Sequence, residues 1–259
     1  MTNPPPPRNS TSSANGDLAG PSPTLLSVLC AGAAQGFVKA MESRFTAQTG
    51  VSVATRFGAV GALREALLAG EACDVLIVTD AMVRALISAS QLRADSRIVL
   101  GQVRTGMAVR EDQPAPDIST SESLRDALLA ARGIHFPDPT RATAGVHFAD
   151  AMLRLGVQME VAARCHTYPN GAAAMRALAA SSGSAQLGCT QISEIIFTPG
   201  LRLIGALPAG YELTTTYTAA VSQGSAHPQI AQAFNALLGA PEFASERIRC
   251  GIEPQPVDA

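Results

Sequence analysis

The chain has 259 residues, 47% of them hydrophobic and 15% charged, with a formal net charge of −2. That balance supports one large or two modest buried cores and excludes a disordered chain. It also lacks the dense positive face that nucleic acid or an acidic membrane demands, so neither partner is expected. Aromatic residues are only 4%, with no tryptophan, which argues against a sugar-stacking site and against base-stacking platforms.

Residues 1–24 read as a proline-rich polar tail with no apolar run long enough for a secretory signal. A cytoplasmic protein is the expectation, or a periplasmic one if the true start lies upstream. No stretch approaches the roughly 20 apolar residues of a membrane helix, so membrane insertion is not expected. The five cysteines are far apart and form no C-x-x-C pair. Cys30, Cys73 and Cys189 fall in or beside apolar runs, the pattern of buried, reduced thiols.

After the tail, short apolar runs alternate with helical periods. Residues 25–30 form a buried strand, and residues 35–48 an amphipathic helix with Phe37, Val38, Met41 and Phe45 on one face. A second strand over 51–57 leads through a tight loop, 58–61, into a helix over 62–69. A third buried strand over 74–78 precedes a helix for which Asp80 is the expected N-cap. Residues 98–109 read as a long strand crossing between lobes. Then come a helix over 121–131, a strand over 133–136, a polar loop over 138–144 and a helix over 145–155. A strand over 165–168, a helix over 172–180 and a strand over 185–190 follow. Residues 213–222 are the expected return crossing, and helices over 227–238 and 241–250 close the chain. Repeated βαβ units predict mainly parallel sheets covered by helices. The two crossings predict a first lobe from residues 25–105 plus 215–259 and an inserted second lobe over 106–214. The ligand then belongs in the cleft between them, at the carboxyl ends of the strands.

LSVLCAGA (26–33), the run from Phe45 to Asp80, DPTRATAGVHFADAMLRLG (138–156) and LGCTQISEI (187–195) together resemble the molybdate-binding branch of periplasmic solute-binding proteins. The resemblance spans about residues 25–250 and implies the two-lobed type 2 periplasmic-binding-protein fold with a small anion in the cleft. The sequence departs from that branch at the ligand. Molybdate binders present a serine from each of the first two loops, whereas this chain reads Ala31-Gly32-Ala33-Ala34-Gln35 and Gly58-Ala59-Val60-Gly61-Ala62. The late tyrosine of that branch is replaced near Cys189-Thr190. Each lost hydroxyl removes a hydrogen bond worth roughly 0.5–1.5 kcal/mol. The departures point toward the enzyme-bearing, aconitate isomerase-like branch of the same family.

Three strand-to-helix turns are ready anion sites, because first-turn N–H groups lack internal acceptors. They bring Ala33, Ala34 and Gln35, then Val60 and Gly61, then Thr143, Ala144 and Gly145 to the cleft. The plainer reading is that Gly-rich turns only join strands to helices. Arg141 can clamp a carboxylate through its planar fork, Thr140 and Thr143 can donate hydroxyls, and Arg64 can lend charge. Asn170, Thr190 and Gln191 are neutral donors expected to face the cleft. The candidate bases are His147, in the first turn of its helix, and Glu194; the bland alternatives are a surface histidine and a helix-capping glutamate. No Walker loop, Rossmann fingerprint, serine-nucleophile motif or metal-ligand cluster is present in the sequence, so neither cofactor nor metal is expected. Two functions fit: an isomerase moving a double bond by 1,3-allylic proton transfer in a small polycarboxylate, or an oxyanion-binding protein. A ligand-dependent sensor is a third, without an output domain to support it.

Overall fold

A computed structural model of the chain describes residues 1–2 and 24–256. The expected tail therefore lies almost wholly outside the described residues. Strand β1 (Leu25–Ala31) enters a single 3-10 turn, Gly32–Ala34, and then α1 (Gln35–Thr49). The first lobe continues through β2 (Ser52–Gly58), α2 (Val60–Leu68), β3 (Val75–Thr79) and α3 (Asp80–Ser88). Strand β4 (Ile98–Arg110) leads into α4 (Ser121–Ala130), β5 (Gly133–Pro137), α5 (Thr143–Arg154), α6 (Gln158–Val161) and β6 (Cys165–Tyr168). Next come α7 (Gly171–Ala179), β7 (Gln186–Gln191), α8 (Ile192–Ile196) and β8 (Leu201–Ala206). The chain ends with β9 (Thr214–Val221), α9 (Pro228–Gly239) and α10 (Ala244–Arg249).

The sheet order is β2-β1-β3-β9-β4-β7-β5-β6, with β8 on β4. Strands β1, β2 and β3 are parallel, as are β5, β6 and β7. Only the long strand β4 belongs to both halves. Its first part, Ile98–Arg104, pairs antiparallel with β9, and its second part pairs with β7 and β8. One core therefore gathers β1, β3, α1 and α9 around Phe37, Met41, Leu76 and Phe234. A second gathers β5, β7, α4 and α5 around Leu124, Ile134, Phe136 and Phe148. Burying such side chains stabilises each lobe by about 1.5–3 kcal/mol per large apolar residue. The fold is the two-lobed α/β arrangement expected from the βαβ pattern.

Several local expectations are corrected. Helix α2 starts at Val60 rather than 62, because the Leu63 N–H already bonds the Ala59 carbonyl at 3.0 Å. Helix α5 likewise starts at Thr143, since Val146 donates to the Ala142 carbonyl at 2.9 Å. Thr79, not Asp80, caps α3: its hydroxyl accepts from the Met82 N–H at 3.4 Å. Asp80 instead ties three elements together, accepting from Arg84 (2.7 Å), Arg97 (2.6 Å) and Thr218 (2.9 Å). Burial pushes its carboxyl the other way, but these donors hold it below its ordinary value. Helices α6 and α8 and strand β8 had no sequence-level expectation; two short helices show too little period to be read. Cys30, Cys73 and Cys189 are buried and unpaired.

Candidate functional site

Where the lobes meet, a small cavity of about 20 Å³, room for roughly one water molecule, is walled by both. Ala31–Ala33, Gly58–Val60 and Tyr217 come from the first lobe, and Pro137, Ala142–Ala144, Asn170 and Gly171 from the second. Thr190, Gln191 and Glu194, on β7 and α8, close its floor. Four helical starts converge on it: the 3-10 turn into α1, then α2, α5 and α7. Each presents its first-turn N–H groups and a positive dipole end, those of α7 already engaged by Asn170 and Glu194. Three of these starts have alanine at the capping position, Ala31, Ala59 and Ala142, with no side-chain cap. An alanine cap costs about 1 kcal/mol against Ser, Thr, Asn or Asp. No side chain takes the donors that a cap would consume, although at α2 the Gly61 N–H goes to the Arg141 carbonyl at 3.0 Å. Only α7 is capped, by the Asn170 side chain accepting from the Ala173 N–H at 2.9 Å.

Glu194 is the one charged side chain in the wall and is 6% exposed. The Thr190 hydroxyl donates to its Oε2 at 2.5 Å. The carboxylate lies between the backbones of Gly32 and Gly171, one from each lobe, and a Cβ at either position would overlap a carboxylate oxygen. Glycine is thus required twice for the close approach. Burial pushes the Glu194 carboxyl up to about 7, against the opposing pull of Thr190 and of backbone donors at Ala172 and Gln191. A carboxyl that changes charge near neutrality is suited to both taking and returning a proton. Tyr217, 2% exposed, faces it from β9. Burial first, then the nearby Glu194 and Cys30, keeps that phenol protonated well above its usual range. Gln191, oriented so that its amide nitrogen donates to the Val103 and Arg104 carbonyls at 3.3 and 3.2 Å, anchors the floor to the crossing strand β4.

Of the residues expected from the sequence, the cavity brings together Ala33, Val60, Thr143, Ala144, Asn170, Thr190, Gln191 and Glu194. Others lie beside it with different tasks. Ala34 is buried behind the wall, and Gln35 opens α1 without reaching it. The Gly61 N–H is taken by the Arg141 carbonyl across the lobes at 3.0 Å. Gly145 packs against the Pro137 and Asp138 carbonyls, leaving no room for a Cβ. The Arg141 guanidinium is exposed and pairs with Glu65 of the other lobe, and Arg64 is exposed on α2. The Thr140 hydroxyl bonds Asp138 at 2.6 Å. His147 is held away from the cavity: its Nε2 donates to the Tyr211 carbonyl at 2.7 Å. His135 spends both ring nitrogens on Tyr168 (3.0 Å) and Gln186 (3.1 Å). Sequence reasoning missed Tyr217 and Gly171 as parts of the site. The signal for Tyr217 was slight: it is the one aromatic in a Thr- and Ala-rich return strand. Among the described residues no cluster of three or more His, Cys, Asp or Glu is placed to hold a metal ion, and no helix is long and apolar enough to cross a membrane.

A family model described as bacterial extracellular solute-binding protein matches residues 26–245. The chain belongs to that family. Among characterised relatives, an aconitate isomerase from a Pseudomonas species is 29% identical over 245 residues, spanning 92% of this chain and 91% of that protein. Among solved structures, the periplasmic molybdate-binding protein of Azotobacter vinelandii superposes with a TM-score of 0.72 at 19% identity, covering 89% of this chain and 100% of that one. The sulfate-binding protein SubI of Mycobacterium tuberculosis H37Rv gives 0.69 at 18% identity, covering 90% of this chain and 88% of that one. These structural likenesses establish the periplasmic-binding-protein fold.

Proposed function

We propose that this protein is a cofactor-independent isomerase that moves a double bond by 1,3-allylic proton transfer in a small polycarboxylate of the aconitate type. The observation that carries the reading is Glu194, a buried carboxyl titrating near neutrality inside the interlobe cavity. A protein that only holds an oxyanion gains nothing from a carboxylate there, since like charges oppose each other in a low-dielectric site. Proton transfer needs such a group. The substrate carboxylates lie against the uncapped starts of the α1 turn, α2 and α5. The Glu194 carboxylate removes the proton α to a substrate carboxylate, and the C–H electron pair spreads over the allylic system. The protonated Glu194 then delivers the same proton to the far end, where a new C–H bond forms. The Thr190 hydroxyl holds the carboxylate in line, and helix-start donors stabilise the enolate-like charge. The 29% identity to an aconitate isomerase across nearly the whole chain supports this choice of substrate class.

The test is direct. Purified protein is incubated separately with cis- and trans-aconitate, and the olefinic protons are followed by NMR. Interconversion that disappears in Glu194→Gln is expected; two unchanged spectra sink the proposal. One observation favours a second reading, non-catalytic oxyanion binding: every wall residue except Glu194 and Tyr217 is non-ionisable, as suits a site built on backbone donors. That reading predicts thermal stabilisation by molybdate or sulfate with none by aconitate.

A further inference from the structure

We propose that the cleft takes its anion together with a proton, and that Glu194 is where the proton binds. This deepens the reading of the cavity as an anion and proton-transfer site and rests on it. The geometry leaves little alternative. The Glu194 carboxylate is wedged between Gly32 and Gly171, so neither lobe gives it room to swing aside when a ligand arrives. Thr190 and the backbone at Ala172 fix it further. No cationic side chain lines the cavity among the described residues. The 3-10 turn, α2, α5 and α7 bring only uncharged groups such as Ala33, Val60, Thr143 and Gly171. The titratable groups facing Glu194 are the Tyr217 phenol of β9 and, behind it, the Cys30 thiol of β1, both neutral. Of the charges on the elements packed around α8, Glu42 of α1 is half-buried beside Cys30 with its Oε1 unpartnered, and it adds negative rather than compensating charge. Lys39 of α1 lies over the Phe57 and Phe197 rings, Arg104 of β4 pairs with Glu253, and Arg202 of β8 bonds the Gln113 carbonyl, while Arg176 of α7 is exposed.

An incoming carboxylate or oxyanion thus meets a fixed negative charge with no cation to compensate it, only neutral donors and helix dipoles. The repulsion is relieved when the carboxylate takes one proton from solvent. No covalent bond to the ligand forms; carboxylate, proton and anion become carboxylic acid and bound anion. The carboxylic acid then has an O–H to donate to the ligand, so the same group changes from opponent to partner. In the isomerase, this makes the complex harder to deprotonate than the free protein. The pH midpoint for kcat therefore lies above that for kcat/KM, because the two report the complex and the free enzyme respectively.

The experiment is calorimetric titration of the full chain with tricarballylate, the saturated analogue that cannot undergo allylic transfer, and with molybdate. Each titration is run at pH 5 and pH 8 in two buffers of different ionisation heat. The wild type is expected to take up about one proton per anion at pH 8 and almost none at pH 5. Its affinity falls up to about tenfold per pH unit above 7, as linkage requires for one proton. Glu194→Gln, close in shape, is expected to bind both probes with no proton uptake and a flat pH dependence. Thr190→Val removes a donor to the charged form and moves the pH midpoint upward. Binding without proton uptake in the wild type overturns the inference. Equal uptake in Glu194→Gln, or no binding of either probe, overturns it as well. Aconitate interconversion is scored separately, so a protein that takes up the proton but does not isomerise loses the proposed function and keeps this inference.

Discussion

The starts of α3 and α4, away from the cavity, and three of the four starts around it are capped differently. Helix α4 has a complete capping box: Thr120 accepts from the Ser123 N–H at 3.1 Å, and Ser123 accepts from the Thr120 N–H at 3.0 Å. Helix α3 is capped by Thr79. Neither start lines the cavity. The starts at Ala31, Ala59 and Ala142 do line it and carry no side-chain cap. The chain can cap helices well, yet leaves about 1 kcal/mol unrealised at each of three sites around one cavity. Helices α9 and α10 also start without a side-chain cap and α7 is capped, so what marks the cavity is that three uncapped starts converge on it. Proteins tolerate such local departures from the favoured choice chiefly at functional sites.

Among changes to the backbone around the cavity, the largest effect comes from Gly171→Ala. Its new Cβ displaces the Glu194 carboxylate and the Thr190 hydroxyl, and turnover of aconitate is expected to fall about 100-fold, the scale of an ångström-sized misplacement. Steady-state kinetics alongside a circular dichroism spectrum separates misplacement from misfolding.

The next effect is on stability. The folded-state value for Glu194, about 7, lies above that of an unfolded glutamate. Its stabilising difference is therefore fully present below about pH 4, and is lost as pH rises through 7. The loss amounts to about 3 kcal/mol if the ionised carboxylate stays buried. Urea unfolding of wild type against Glu194→Gln should show the gap widening in favour of Gln from pH 5 to pH 8. A constant gap would mean that Glu194 titrates normally.

Helix capping gives the sharper pair. Ala142→Asp supplies the missing cap on α5 and is expected to stabilise the fold by about 1 kcal/mol while weakening anion binding at least tenfold, since it spends the donors and adds a negative charge. Thr120→Ala removes the cap on α4 and is expected to cost about 1 kcal/mol with no change in anion affinity. If both variants moved stability and binding together, the two sets of starts would not differ in kind. The smallest effect belongs to Arg141→Ala, which removes an exposed interlobe pair with Glu65. It should change stability by less than about 1 kcal/mol and turnover by little. A large rise in KM would instead make Arg141 a carboxylate clamp.

Much of the frame was legible because βαβ periodicity is written in apolar spacing: the long crossing strand β4, the return strand β9 and the three strand-to-helix turns all stand in the sequence. The site was legible only in part. Glu194 was nameable as a carboxylate after Thr190-Gln191, but its burial depends on α8, five residues long and without readable period. Arg141, Arg64 and His147 were attractive for their chemistry, and long-range partners take two of them elsewhere: Glu65 engages Arg141, and the Tyr211 carbonyl holds His147. Gly171 has its meaning only through Glu194, 23 positions later in the chain. The alanines at the turns were visible as missing serines. That the same alanines leave helix starts uncapped became clear once α2 and α5 were seen to begin at Val60 and Thr143.

In the proposed function, Glu194 is the proton carrier of an isomerase built on an anion-binding cleft. The most direct measurement is kcat/KM for trans-aconitate from pH 5 to pH 9, in wild type and Glu194→Gln. The account predicts a rate that rises with a single protonation step near pH 7 and then levels, and a variant slower by about 10³-fold with no such step. A wild-type rate that ignores pH across 7, or a variant that keeps both the rate and the step, would contradict it.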